Sequence, residues 1–209
     1  NWDAGDIMYK DLNGDGKIDN GGNKYDDMGD MKKIGNNTPR YLFGLDLNAD
    51  YKGFDFRAFF QGVMKRDYWQ GSAYFWGATS LWHSTGFVEH ADYFRAEASN
   101  DLPANLNAYY PRPVFDSSKN RQRQTAYLQN AAYIRLKNVQ LGYTLPANLT
   151  HKFYVSKLRV FVSGENLWTG TSLANMFDPE TIGGGDDTDK NGNAYPLSKT
   201  ISFGISVTL

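Results

Sequence analysis

The stretch Ile201-Ser-Phe-Gly-Ile-Ser-Val-Thr-Leu209 alternates between apolar residues and small or polar ones. Successive side chains of a β-strand point to opposite faces, so this pattern predicts a strand with one apolar face and one polar face. Two kinds of structure contain such strands. One is a soluble β-sandwich, and the other is an outer-membrane β-barrel, whose apolar face contacts lipid and whose polar face lines the lumen.

A predicted β-hairpin at residues 40–66 helps to distinguish between these structures. Residues 40–51 and 54–65 each alternate in the same way, and Lys52-Gly53 between them is typical of a tight turn. Strands of globular proteins usually contain about 5–6 residues, whereas a tilted strand needs about 9–11 residues to cross a membrane. The length of these strands and their one-sided charge favour a barrel.

Three further strands are predicted within residues 124–209. The first is Tyr127–Leu145, expected to be one very long strand with a β-bulge near Lys137-Asn138, where the apolar positions change parity. The second is Leu158–Trp168, and the third is the terminal stretch. A loop at residues 169–197 separates these last two strands.

The lengths of the connections also alternate. Those at residues 52–53 and 147–156 are short, whereas those at 67–123 and 169–197 are long. Outer-membrane barrels have short periplasmic turns and long extracellular loops. We therefore expect the long loops, together with the acidic segment 1–39, to be extracellular.

Composition excludes some classes of function. The net charge of −1 gives no argument for binding nucleic acid, and the absence of cysteine excludes disulfides and thiolate metal sites. No apolar run approaches the roughly 20 residues of a membrane helix. Since the sequence starts without a signal peptide, we expect it to be a piece of a longer protein or a processed product.

The segment Asp11-Leu-Asn13-Gly-Asp15-Gly16-Lys17-Ile18-Asp19 fits the first part of a calcium-binding loop. Calcium takes about six to eight oxygen ligands, which alternate positions of such a loop can direct at one ion. The sequence predicts one structural Ca²⁺ bound by Asp11, Asn13, Asp15, the carbonyl of Lys17, and Asp19, with Asp26, Asp27 or Asp30 completing the shell. The alternative is a solvated turn without an ion. Residues 187–193 also fit the start of such a loop.

The long loop at residues 67–123 is rich in aromatic rings. Such rings must pack on one another or dock on a partner, because that much apolar surface is not left in water. The loop is therefore a recognition surface for a glycan or peptide, or a lid with its own small core, and we favour the lid. His83, His90 and His151 match no zinc or catalytic spacing, so the sequence predicts no enzyme.

Several motifs follow one another along the chain: Gly5–Asp19, Ile34-Gly-Asn36, Pro39-Arg-Tyr41, Tyr51–Phe56, Phe60-Gln-Gly62, Tyr133–Pro146, Leu158–Leu167, Asp178-Pro-Glu180, Tyr195-Pro196 and Ser202-Phe-Gly204. In this order they resemble the SusC/RagA-type TonB-dependent outer-membrane transporters. The resemblance implies an all-β fold of antiparallel up-and-down strands, forming the C-terminal segment of a large transmembrane β-barrel with long extracellular loops.

The same resemblance implies a location in the outer membrane of a Bacteroidetes-type bacterium and contact with outer-membrane lipid. Members of the family import oligosaccharides or peptides and work with a SusD-like surface lipoprotein. The upstream barrel, the plug and the segment that contacts TonB would lie outside this sequence. The alternative function is that of a soluble, secreted, calcium-stabilised β module that binds glycans. Strand length and one-sided apolarity favour the transporter.

Overall fold

A computed structural model describes residues 2–77, 79–80, 86–99, 101–183 and 194–209. The chain forms two compact units, one within residues 1–35 and 69–128 and the other mainly within residues 36–68, 129–183 and 194–209. Trp82, His83 and the second calcium-type segment at residues 187–193 lie outside the described residues.

The described residues contain seven strands: β1 Arg40–Tyr51, β2 Phe54–Lys65, β3 Asp67–Trp69, β4 Leu128–Asn130, β5 Tyr133–Thr144, β6 Lys157–Thr171 and β7 Thr200–Thr208. Five of them form an antiparallel sheet in the order β1-β2-β5-β6-β7, and β3 pairs with β4 separately. The helices are α1 Ala73–Trp76 and α2 Ala147–Thr150, with 3₁₀ turns at Val88–Ala91, Lys119–Arg121 and His151–Phe153. None of the described helices is long or apolar enough to cross a membrane.

The tight turn predicted between the first two strands is confirmed. Lys52 and Gly53 both adopt positive φ angles, 46° and 87°, as the two central residues of a type I′ turn do. A Cβ atom on Gly53 would lie 2.8 Å from the carbonyl oxygen of Thr144, so the turn requires glycine for its conformation and for the close approach of β5.

The predicted β-bulge in the third long strand is also confirmed, because the register of β5 shifts between Leu136 and Asn138. The prediction that Tyr127–Leu145 forms one strand is wrong. The backbone leaves the strand at Ala131 and Ala132, where the Ala131 N–H donates to the Arg66 carbonyl and the Ala132 N–H donates to the side chain of Asn130. These two hydrogen bonds, one local and one to a residue distant in sequence, separate β4 from β5.

The first unit has an aromatic core. Phe75 is fully buried and contacts Trp76, Tyr109, Tyr110 and Tyr127 edge to face, with ring centroids 5.0–6.4 Å apart. Such edge-to-face pairs are favourable beyond the burial of their area. The rings of this loop therefore pack on one another, as the preferred interpretation of the sequence predicted.

Candidate functional site

The five-stranded sheet has one continuous apolar face. Because directly paired residues share a face, the register sorts the side chains into rows across the sheet. Two consecutive rows of the same face are Tyr51–Phe54–Tyr143–Val160–Ile205 and Ala49–Phe56–Leu141–Val162–Phe203. Every member is apolar or aromatic, and Phe203 is 83% exposed. This face is not covered by the described residues and needs an apolar environment from beyond them.

The sequence predicted that Tyr41, Phe43, Leu45, Phe54, Phe56, Phe60, Leu158, Val160, Phe203 and Ile205 lie on this face, and the register confirms it for all except Tyr41. Tyr41 has a φ of 57° and no partner in the register, so its side chain is not assigned to a face by pairing.

The opposite face carries charged residues and ion pairs, together with the rings of Phe59 and Phe161. Arg57, Gln61, Arg159 and Glu165 lie on it, as predicted. The guanidinium of Arg57 donates to both carboxylate oxygens of Asp46, at 3.1 and 2.7 Å, and Arg159 binds Asp55 in the same bidentate way across β2, β5 and β6. Bidentate pairs of this kind fix side-chain direction as well as charge.

A buried ion cluster lies at the loop end of the same polar face. The guanidinium of Arg135 in β5 donates to Asp178 at 2.7 Å and to Glu180 at 2.8 Å. The side chains of Arg135 and Asp178 are only 4% and 7% exposed. Lys137, in the bulge, donates to the same Glu180 carboxylate at 3.0 Å, and the Tyr133 hydroxyl bonds its other oxygen. The segment containing Asp178 and Glu180 is therefore attached to the sheet by paired charges.

The pKa of Asp178 reflects this environment. Burial alone would raise the pKa, but hydrogen bonds from Arg135 and from the N–H groups of Glu180 and Leu197 outweigh burial and hold it below its ordinary value. Asp178 is accordingly ionised at neutral pH, when it balances the Arg135 charge.

In the first unit, Asp6 joins the N-terminal segment to residues 112–120. Its side chain is 3% exposed and accepts hydrogen bonds from Arg112 at 2.8 Å, Lys119 at 2.6 Å and the Asn120 amide at 2.9 Å. Burial alone would raise its pKa, but these donors and the Asp3 N–H together hold the pKa of Asp6 far below its usual range.

Backbone contacts extend this junction. The Arg112 N–H donates to the Gly5 carbonyl at 2.8 Å, and the Ile7 N–H donates to the Asn120 side chain at 3.0 Å. A Cβ atom on Gly5 would lie 2.1 Å from the Phe94 ring, and the φ of Gly5 is 84°. Position 5 therefore requires glycine for its conformation and for the close approach of Phe94. Asp6, which follows it, provides the charged contacts with residues 112–120.

The predicted calcium residues lie in an exposed, hydrogen-bonded loop. The Asp11 carboxylate accepts from the N–H groups of Gly14 and Gly16 at 2.6 and 2.9 Å. The Asn13 and Asp15 side chains each accept from the N–H two residues later, at 3.0 and 2.8 Å. Turns of this kind, in which an Asp or Asn side chain accepts hydrogen bonds from N–H groups a few residues later, determine the conformation of the loop.

Of the three residues predicted as alternatives to complete the calcium shell, Asp30 reaches the loop. Its carboxylate accepts from the N–H groups of Leu12 and Asp19, at 2.5 and 2.9 Å, and these hydrogen bonds lower its pKa. Asp27 instead accepts from the Gly22 N–H, at 2.7 Å, within the insertion that also contains Asp26.

The oxygen donors of this loop are those that calcium takes, namely carboxylates and an amide oxygen on alternate residues. Among the described residues, however, no three Asp, Glu or His side chains are grouped closely enough to form a metal site. Calcium binding by Asp11, Asn13, Asp15, Lys17 and Asp19, completed by Asp26, Asp27 or Asp30, stays a prediction.

The described histidines have structural contacts or lie at the surface. His90 bonds the Phe87 N–H and the Phe75 carbonyl through its two ring nitrogens, at 2.9 and 3.0 Å. His151 lies exposed in the 3₁₀ turn after α2. Among the described residues, neither imidazole ring has a recorded contact with a side chain that could act as a nucleophile.

Sequence reasoning missed two sets of residues. It quoted Gly5-Asp6 and Asp178-Pro-Glu180 as motifs without assigning them contacts. A single arginine within an otherwise alternating strand, Arg135, was the available signal for the second set, because a buried cation requires a partner. Asp6 and its partners lie 106–114 residues apart, and no local pattern could have joined them.

No protein-family model matches the chain. Two sequence relatives from Formosa agariphila are TonB-dependent receptor P3, which is 29% identical over 98% of this chain, and TonB-dependent receptor P26, which is 28% identical over 98%. The chain spans only about a fifth of their lengths, 19% and 20%.

The fold is similar to that of solved transporters. The RagAB peptide transporter matches 81% of this chain with 26% sequence identity and a TM-score of 0.60. The RagAB peptide importer in its closed-closed state matches 85% with 27% identity and a TM-score of 0.59. The chain covers 17% and 18% of those two chains.

The sheet, with its lipid-type face and its ion-paired polar face, is a segment of an outer-membrane β-barrel. Its relatives by sequence are named TonB-dependent receptors, and the solved structures that it resembles are those of the RagAB peptide importer. The chain is similar in sequence to TonB-dependent receptors and in fold to the RagAB importer, and its predicted resemblance to the SusC/RagA type is confirmed.

Proposed function

We propose that the protein containing this chain imports oligosaccharides or peptides across the outer membrane by a TonB-dependent mechanism. The observation that carries the proposal is the register of the sheet, which separates a lipid-type face from a polar face with two bidentate ion pairs. Five strands cannot close a barrel of this class, so the remaining strands come from outside the described residues.

The proposal includes a SusD-like surface lipoprotein as partner. The plug and the segment that contacts TonB would be supplied by other parts of the same protein. The motifs shared with the SusC/RagA type and the similarity to the RagAB importer support this arrangement. Affinity purification of the full-length protein from its own outer membrane should recover one such lipoprotein in a fixed ratio.

Uptake measurements test the transported class. A strain lacking the gene should lose uptake of either a fluorescent peptide mixture or a fluorescent oligosaccharide mixture, and the intact gene should restore it. A strain lacking TonB provides the matched control, because it should lose the same uptake while retaining the receptor. Unchanged uptake of both mixtures in the deletion strain would contradict the proposal.

Partition of the protein between a detergent phase and an aqueous phase distinguishes the transporter from the alternative, a soluble calcium-stabilised module. A face on which Phe203 and Ile205 are 83% and 70% exposed would aggregate in water unless covered. We expect the full-length protein to partition into the detergent phase, whereas a soluble module would remain in the aqueous phase.

We also propose that the acidic loop binds one Ca²⁺ with a structural role. Asp11, Asn13, Asp15, the Lys17 carbonyl, Asp19 and Asp30 would provide oxygen ligands. The ion would neutralise the negative charges of Asp11, Asp15, Asp19 and Asp30, which lie in one loop without a cationic partner among their hydrogen bonds. The donor types and the position of Asp30, bonded to both Leu12 and Asp19, support the proposal.

A further inference from the structure

The tight turn between β1 and β2 carries a group of side chains that we call the turn cluster: Tyr51, Lys52, Phe54 and Tyr143. The rings of Phe54 and Tyr143 have their centroids 4.5 Å apart. The ammonium of Lys52 lies 5.1 Å from the centre of the Tyr51 ring, which is a cation–π distance. Tyr51 and Phe54 are 69% and 52% exposed, so the described residues leave much of the turn cluster uncovered.

The turn cluster lies at the end of the apolar face. Tyr51 pairs with Phe54, and Phe54 pairs with Tyr143, so the three rings form one row of that face. The chain reverses at Lys52-Gly53, and this row is therefore the last one on β1 and β2. In a membrane protein the end of the apolar face lies at the border between hydrocarbon and headgroups, where tyrosine rings and lysine side chains are favoured.

The charges at this end of the hairpin are divided between the two faces. Asp50 and Asp55 pair with each other in the neighbouring row, which belongs to the opposite face, and Asp55 binds Arg159 there. Lys52, in contrast, lies over a ring of the apolar face and has no ion pair with a described residue. Among the described residues, the border of the apolar face at this turn is therefore positively charged.

The turn itself does not favour a lysine. Lys52 has a φ of 46°, and the first central position of a type I′ turn is most often occupied by Asn, Asp or Gly. The backbone conformation therefore gives no reason for lysine at this position. Contact of the ammonium with an anion beyond the described residues would give one.

We propose that the turn cluster binds the phosphate of a phospholipid in the leaflet that it borders. Lys52 would pair with the phosphate, and the acyl chains would lie along the exposed rings of Tyr51 and Phe54. A lipid is the occupant because the turn cluster is continuous with the apolar face, and its phosphate is the anion that complements the ammonium. The expected topology makes this the periplasmic leaflet.

Photocrosslinking to the full-length transporter in a sugar-headed detergent tests the lipid and its phosphate. Phosphatidylglycerol with a photoreactive acyl chain should crosslink to the peptide that contains residues 51–54. Digalactosyldiacylglycerol with the same chains but no phosphate should crosslink less. Lys52→Asn, which the turn conformation favours, should reduce crosslinking of phosphatidylglycerol about fivefold, and Lys52→Arg should retain it.

The matched control is Lys65→Gln, because Lys65 is exposed on the opposite face at the other end of the same hairpin. Lys65→Gln should leave crosslinking at residues 51–54 unchanged. Equal crosslinking by the phospholipid and the glycolipid would show that acyl chains alone bind and would overturn the phosphate site. Unchanged crosslinking in Lys52→Asn would overturn the role of Lys52. None of these measurements uses a transported substrate, so their failure leaves the import proposal intact.

Spin labels at two neighbouring positions test whether the turn cluster faces the membrane. This chain contains no cysteine, so Tyr51→Cys and Asp50→Cys each introduce one site for a nitroxide into it. In phosphatidylglycerol vesicles, lipid-soluble oxygen should relax the label at position 51 more strongly than the label at position 50, which lies on the opposite face. An equal response to oxygen at both positions would show that the turn cluster does not face lipid and would overturn the proposal.

Discussion

Arginine substitutions at two neighbouring positions of β7 test the assignment of faces. Phe203 lies on the apolar face and Ser202 on the polar face, so the pair differs in facing but hardly in depth. Phe203 is 83% exposed, so replacing it removes little packing within the chain. Phe203→Arg should therefore destabilise the barrel mainly by placing a cation in lipid, whereas Ser202→Arg should place it in the lumen.

The register gives the depth of the substitution. Phe203 pairs with Val162, which is the fifth residue after Lys157 at the short-turn end of β6. Five residues at about 3.4 Å cover about 17 Å, and a strand tilt of about 40° converts this to about 13 Å of depth. This is roughly half of an apolar band of about 25 Å, so Phe203 lies near the bilayer midplane.

Arginine at the midplane of a barrel surface costs about 2–4 kcal/mol, which corresponds to a roughly 30- to 700-fold lower folding equilibrium constant. Denaturant titration of the full-length protein in lipid vesicles, followed by the shift of the folded band in gels, measures this difference. Ser202→Arg should stay within about 1 kcal/mol of the unmodified protein. Equal destabilisation by both substitutions would refute the assignment of faces.

Three further perturbations address the loops. Asp6→Asn should weaken the junction with Arg112 and Lys119 by about 2–3 kcal/mol, seen as faster amide exchange at Ile7, because charge-assisted hydrogen bonds are lost from a buried site. The folded state holds the pKa of Asp6 below its ordinary value of 3.8. Asp6 therefore stabilises the junction fully when the pH is well above 3.8, and this stabilisation declines as the pH falls below that value. Asp6→Asn should abolish this pH dependence. Asp15→Ala, or EGTA on the unmodified protein, should increase protease cleavage near Lys17 without affecting barrel assembly; unchanged cleavage in EGTA would argue against a structural calcium ion. An epitope tag at Gly22 should be detected on intact cells and one at Gly53 should not, whereas surface detection of the Gly53 tag would reverse the expected topology.

The strands and their faces could be predicted because the period-2 pattern records which side of the sheet is apolar. The bulge near Lys137 was visible for the same reason, since the apolar positions change parity there. The break at Ala131-Ala132 was not visible, because two small apolar residues neither violate nor reinforce the alternation. Its cause is a hydrogen bond to the Arg66 carbonyl, which is distant in sequence.

For the loops, the type of contact could be predicted from the sequence, but the residues that make each contact could not. The sequence indicated that the rings of residues 67–123 must be covered, and the structure places Phe75 at their centre. It also gave three alternatives for closing the acidic loop, among which Asp30 is the residue that bonds both Leu12 and Asp19. Choosing among such alternatives requires knowledge of the path of the backbone. An exposed segment rich in turns has no periodic pattern of apolar residues from which that path could be predicted.

Buried charge connects the polar face of the sheet to the loop that follows β6. In a membrane barrel the outer face must be uniformly apolar, so charged residues that position loops can be accommodated only on the lumen side. Arg135, Asp178 and Glu180 follow this constraint, since their cluster extends from the polar face and holds residues 172–183 there. The charged residues that hold this loop are thus confined to the face of the sheet that is not apolar. An arginine within an alternating strand, together with a pair of acidic residues in the following loop, is therefore a sequence signal for a loop that is attached to the polar face of such a sheet.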